Sequence, residues 1–178
     1  MARRSKYLAL GVIVVPVLWY VIASTFFSGY IYPWWIVDSM PLAGNAIQVA
    51  NEDRTDLCQK IGMRRLYITD TAWDAVYQSY LDYFRLHYNG AVFHIYPNAE
   101  KDNITVVKIM EANIITLQRR NISLSVRRIR EAGPTMGPYI WTSNDSNVQD
   151  AVAKANSAYA ISISYISNVE AYRENCTD

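Results

Sequence analysis

TAWDAVYQSYLDYFRLHYNG, residues 71–90, carries the clearest periodic signal in the chain. Trp73, Val76, Tyr77, Tyr80, Leu81, Phe84 and Tyr88 recur at spacings of three and four, which lays a wide aromatic stripe on one face of a helix. Thr71-Ala72-Trp73-Asp74 reads as a capping box, with the threonine hydroxyl on an orphan N–H and Asp74 answering from the third helical position. The spacing predicts a helix from Ala72 to about Tyr88, ended by Asn89-Gly90. Trp73 and Phe84 are the first core residues, since burying a large apolar side chain is worth about 1.5–3 kcal/mol.

A stripe that wide needs an apolar surface opposite it, and the downstream segments read as strands. Ala91 to Tyr96 closes at Pro97-Asn98, and Asn103 to Met110 is rich in β-branched residues. Asn113 to Gln118 and Ile122 to Ile129 read as a hairpin turning over Arg119-Arg120-Asn121. In its second arm Ile122, Leu124 and Val126 face a core while Ser123, Ser125 and Arg127 face out. Gly133-Pro134 and Gly137-Pro138 bracket a loop, and Tyr139 to Thr142 is a further strand. Ser146-Asn147-Val148-Gln149 is a second capping box. Beyond it two periods compete. Val148, Val152, Ala155, Tyr159, Ile163 and Ile166 keep helical spacing, whereas Tyr159, Ile161, Ile163 and Tyr165 alternate with Ala160, Ser162 and Ser164. A helix from Asn147 to about Ser157, continued to Arg173, is preferred over a final strand from Tyr159 to Ile166. The sum is an α+β domain, an antiparallel sheet packed on one or two helices.

Upstream, the chain begins with Arg3, Arg4 and Lys6 and then carries no charge until Asp38. Leu8 to Phe27 is long enough to cross a bilayer as a helix, with Pro16 inside it. Tyr30, Tyr32, Trp34 and Trp35 follow as a membrane-interface belt. The basic start keeps the N-terminus cytoplasmic and exports the rest to the periplasm or the extracellular side. The competing reading is a signal peptide cleaved after Val21-Ile22-Ala23. The expected organisation is a cytoplasmic tail at 1–6, a single transmembrane helix with its belt at 7–32, a juxtamembrane tether at 33–61 and an extracytoplasmic α+β domain at 62–178.

The rest of the composition narrows the chemistry. Seventeen basic and sixteen acidic side chains leave a net charge of +1, so no basic field points to nucleic acid. Cys58 and Cys176 are read as a disulfide or as two free thiols. If paired, they close a loop of about 118 residues, worth on the order of 4–5 kcal/mol in the chain-entropy model. Asn103, Asn121, Asn144 and Asn175 begin N-x-S/T sequences, glycan acceptors only on a eukaryotic secretory route. His87 and His94 lack metal-ligand spacing, and no glycine-rich phosphate loop or Ser-His-Asp pattern is present. Neither a metal nor another cofactor is expected. Arg119, Arg120, Arg127, Arg128 and Arg130 form the main charge feature, suited to an acidic partner surface.

Two resemblances sharpen these alternatives. Ser39-Met40-Pro41 resembles the serine region of type I signal peptidases, which implies Ser39 as the nucleophile of a serine–lysine dyad. The family's lysine-bearing box and its Gly-Asp-Asn box are absent, leaving Lys60, Lys101 and Lys108 as candidate bases. The Tyr32-to-Gly44 connector and the Tyr80-to-Tyr88 helix end are similar to inner-membrane scaffold components of type IV secretion systems. That resemblance implies an anchored domain assembling with other envelope proteins. The expectation is therefore a membrane-anchored structural or assembly subunit that is not an enzyme. Its partners are the lipid bilayer and other membrane or envelope proteins, a second copy included. A small-ligand-binding or sensory membrane-anchored module and a membrane-bound serine protease are the alternatives.

Overall fold

Alternating apolar and polar positions, brought together from both halves of the chain, build one six-stranded antiparallel sheet. The computed structural model describes residues 14–21, 32–55, 60–90, 93–110 and 120–166. The strands are β1 (Ile47–Thr55), β2 (Lys60–Thr69), β3 (Phe93–Pro97), β4 (Asn103–Met110), β5 (Arg120–Ile129), β6 (Glu131–Gly133), β7 (Ile140–Thr142) and β8 (Ser157–Ile166). The helices are α1 (residues 14–21), α2 (Tyr32–Asp38), α3 (Trp73–Tyr88) and α4 (Ser146–Lys154). The large sheet runs β1-β2-β8-β5-β4-β3, while β6 and β7 form a separate parallel pair.

One face of the sheet is covered by α2 and α3. The aromatic stripe buries Trp73, Val76, Tyr77, Tyr80, Leu81 and Phe84 against inward residues such as Ile104, Val106, Leu124 and Ile161. In β5, Ile122, Leu124 and Val126 are buried and Ser123, Ser125 and Arg127 lie on the other face. At the centre the Tyr80 and Tyr159 hydroxyls hydrogen-bond at 3.1 Å, and Tyr67 stacks on Tyr159 with centroids 5.5 Å apart. Burial, and then the neighbouring phenol, push the Tyr80 hydroxyl far above its ordinary pKa. From α2 and the following turn, Ile36, Val37, Met40 and Ala43 join this core. The turn is held by Gly44 at φ +62°, where any Cβ would strike the Thr71 side chain.

The opposite face is only partly covered. α4 and the β6–β7 pair bury Leu66, Ile129, Trp141, Val148, Val152 and Ala158 in a second, smaller cluster. Beyond that cluster the face carries Glu52, Arg64, Ser123, Ser125, Ser162 and Ser164, with Val107 and Tyr96 toward the β3 edge.

Several expectations are corrected. Among the described residues no helix is long and apolar enough to cross a membrane. Within Leu8 to Phe27 the described helix covers residues 14–21, and the remainder of that stretch lies outside the described residues. The single-pass topology, the extracytoplasmic localisation and the bilayer as partner rested on that helix and fall with it. Of the interface belt, Tyr30 lies outside the described residues, and Tyr32 and Trp34 fall in α2. Trp35 is exposed, while its neighbours Ile36 and Val37 are buried in the domain core. Residues 33–61, read as a tether, hold most of α2, which packs on β8 and β2, and the edge strand β1. Cys58 and Cys176 both lie outside the described residues, and no disulfide is present among those described.

Local boundaries also move. Ala72, not Thr71, is the N-cap of α3 and makes no side-chain capping bond. The Thr71 N–H donates to Thr69 Oγ1, because Thr71 is committed to the turn over Gly44. For α4 the cap is Asp145, whose carboxylate accepts from the Asn147 N–H at 2.9 Å. The preferred C-terminal helix ends at Lys154, and Ser157–Ile166 is the central strand. A helix there would leave β2 and β5, which pair with β8 on either side, without their ladder. β5 pairs with β4 and β8, and residues 113–118, expected as its hairpin partner, lie outside the described residues.

Candidate functional site

The uncovered end of the sheet forms a concave polar floor, and the strand register explains its shape. Side chains of cross-strand partners point the same way, so the pairing sets the floor row by row. One row reads Glu52, Arg64, Ser162, Ser125, Thr105 across β1, β2, β8, β5 and β4. The next reads Gly62, Ser164, Ser123. On the other side Leu66, Ala160 and Arg127 are aligned. Ala160, Ser162 and Ser164 occupy β8, between Arg64 on β2 and Arg127 on β5, and Gly62, Ser123 and Ser125 flank them. Small residues between long ones make a depression.

The loop between β6 and β7 roofs it. Met136 and Gly137 of this loop and Ile140 and Thr142 of β7 line a half-open cavity of about 350 Å³ together with Arg64, Arg127 and the serines. That is the lower end of the range for small-molecule sites. Gly137 lies close to the Ile140 side chain, which a Cβ at 137 would meet at 3.0 Å. Met136 is 74% exposed at the rim.

Arg64 is oriented from two sides. Its Nη1 donates to Glu52 Oε2 at 3.1 Å, and the guanidinium lies 4.6 Å from the Trp141 ring centre. Arg127 Nη1 donates to the Pro138 carbonyl at 3.4 Å, a long contact on an exposed group. Among the described liners Glu52, Arg64 and Arg127 are charged, which sums to one positive charge. Ser125, Ser162 and Ser164 supply hydroxyls that donate or accept.

The roof loop is braced from behind by a buried carboxylate. Asp102 is 1% exposed and accepts from Arg130 Nη2 at 2.7 Å, with Arg128 Nη1 3.8 Å away. Arg130 lies over the Tyr139 ring at 4.7 Å, and the Tyr139 hydroxyl donates to Glu100 at 3.2 Å. Arg130 and Tyr139 thereby tie the loop to the β3–β4 turn.

The sequence-predicted residues divide. Of the arginines, Arg127 enters the cavity, whereas Arg128 and Arg130 grip Asp102. Arg119 lies outside the described residues and Arg120 begins β5. Asn103 is half-buried, with its amide donating to Thr105 Oγ1 at 3.1 Å, and Asn144 is exposed. Asn121 falls in β5 and Asn175 lies outside the described residues. The Ser39 hydroxyl donates to the Ile36 carbonyl at 3.2 Å, closing the end of α2. It serves that helix end, and the signal-peptidase alternative is set aside with the membrane anchor it required. His87 is exposed and packs on Tyr83 with centroids 4.4 Å apart, and His94 is exposed on β3. Among the described residues no group of three or more His, Cys, Asp or Glu is placed to hold a metal ion. Sequence reasoning missed Glu52, Arg64 and Met136. The signal available for the floor was the run of outward serines in β5 and β8.

No protein-family model, curated protein or solved structure matches the chain. The membrane-anchored assembly role thus loses both its supports, the spanning helix and the likeness to secretion-system scaffold proteins.

Proposed function

We propose that this domain is a non-catalytic binding module that holds a small polar molecule on the open sheet face, beneath the β6–β7 loop. The observation that carries the reading is the cavity of about 350 Å³ whose floor is serine, glycine and alanine and whose walls are Arg64 and Arg127. A preformed concavity with a few convergent polar groups is the ordinary form of a ligand site. Binding without turnover is supported by the liners themselves. Serine hydroxyls need an adjacent base to become nucleophiles, and the carboxylate among the described liners, Glu52, is held by Arg64 at 3.1 Å.

The test is a screen of a chemically diverse fragment library against the full-length isotope-labelled chain, read by amide chemical shifts. Binders are expected to move Arg64, Ser125, Ser162 and Gly137 together. Binders that map only to the α3 side or to the sheet edges refute the assignment.

A further inference from the structure

We infer that the ligand of this face carries an oxyanion, a carboxylate or a phosphate ester, on a short apolar body, and that Glu52 is its built-in competitor for Arg64. The inference rests on the binding reading above and adds the chemical class. Three observations support it. First, among the described liners Arg64 and Arg127 stand with Glu52, an excess of one positive charge that favours an anionic ligand. Second, the geometry suits a shared anion. Arg127 stands two strands and one pleat repeat away from Arg64, so their Cα atoms are about 12 Å apart by strand spacing and rise. Both side chains line the cavity, with Ser162 of β8 on the floor between their strands and Ser125 beside Arg127 on β5. Planar guanidinium donors pair with oxyanions, and the hydroxyls add donors from below. Third, Arg64 is already engaged in this form of recognition, since it donates to the Glu52 carboxylate at 3.1 Å while resting on Trp141. Glu52 shows the chemistry that Arg64 accepts. The ion pair is part-exposed, with side chains 32% and 23% accessible, so exchange for a ligand carboxylate or phosphate is cheap. Met136 and Ile140 on the roof then meet the apolar body.

The probes are hexanoate, hexyl phosphate and hexanol, titrated into the full chain and followed by calorimetry and amide shifts. At least one of the two anions is expected to bind at the floor, with hexanol about tenfold weaker or worse, the loss expected for one charge-assisted hydrogen bond. The tighter of hexanoate and hexyl phosphate distinguishes a carboxylate ligand from a phosphate ester, and either supports the inference. Arg127→Gln should weaken the better anion about tenfold. Glu52→Gln should tighten it several-fold by releasing Arg64, a gain that misfolding cannot imitate. Hexanol binding as tightly as both anions, an Arg127→Gln protein with wild-type affinity, or a Glu52→Gln protein with unchanged or weaker affinity overturns the inference. If library fragments occupy the floor regardless of charge, only the oxyanion class fails. If none occupies it, the binding reading fails as well.

Discussion

Asp102→Asn removes one negative charge from a site where the carboxylate is 1% exposed and faces two guanidinium groups. The amide keeps one oxygen acceptor for Arg130, so the 2.7 Å contact loses its ionic part but not its geometry. The new NH₂ group turns a donor toward Arg128 or displaces it. Fully buried pairs lose about 3–5 kcal/mol when one partner goes. Here the arginine side chains are 38% and 54% accessible and recover water, which reduces the loss. A destabilisation of about 2 kcal/mol is expected, lowering Tm by about 4–8 °C for a chain of this size. Urea unfolding followed by tryptophan fluorescence measures it. Asp150→Asn is the control, because Asp150 pairs with Lys154 at 3.6 Å on an exposed helix face and should cost less than about 0.5 kcal/mol. If Asp102→Asn behaves like Asp150→Asn, the buried carboxylate does not brace the fold and the reasoning is wrong.

Two further outcomes follow from the same packing. Burial raises the pKa of Tyr67, Tyr80 and Tyr159, so the folded state holds these phenolic protons more tightly than the unfolded chain. Their contribution is intact below pH ~10 and falls as pH rises above it, by up to about 1.4 kcal/mol per pH unit for each group. Denaturant titrations at pH 8 and pH 11 should show that fall, and Tyr80→Phe should flatten it while costing about 1 kcal/mol at neutral pH. An equal slope in Tyr80→Phe contradicts the assignment. Gly44→Ala is expected to lose at least about 1 kcal/mol, since φ is +62° and the new methyl meets Thr71. Thr71→Ser, which leaves the turn in place, should not reproduce that loss in thermal unfolding.

What was legible in the sequence was what local period alone determines. The α3 stripe and the in–out alternation of Ile122 to Arg127 follow from side-chain geometry within one element, and both are seen. The strand β8 was written in the same grammar, but Val152, Tyr159 and Ile166 also satisfy a helical spacing. The choice is made by partners far away in the chain, such as Arg64 opposite Ser162 and Ser125 on the other side. The edge strand β1 was hidden because Asn51-Glu52-Asp53 looks like a turn. Its charges are tolerated in a strand because Glu52 meets Arg64 and Asp53 meets Arg65 across the ladder. Hydropathy misled at the N-terminus for a related reason. It marks Leu8 to Phe27 as apolar, yet among the described residues the helix there spans only 14–21, and the residues that reach the domain core are Ile36, Val37 and Met40 of the stretch read as a tether. Of the cavity, the serine floor and Arg127 were readable as an outward face, whereas Arg64, Glu52 and the Met136 roof come together only through β2 and the loop.

A crystal structure of the full chain with a fragment that binds in solution examines the sheet-face site most directly. The expected density lies over Ser162, between Arg64 and Arg127 and beneath Met136. Density only against α3 or along β3, with the floor empty, would contradict the account.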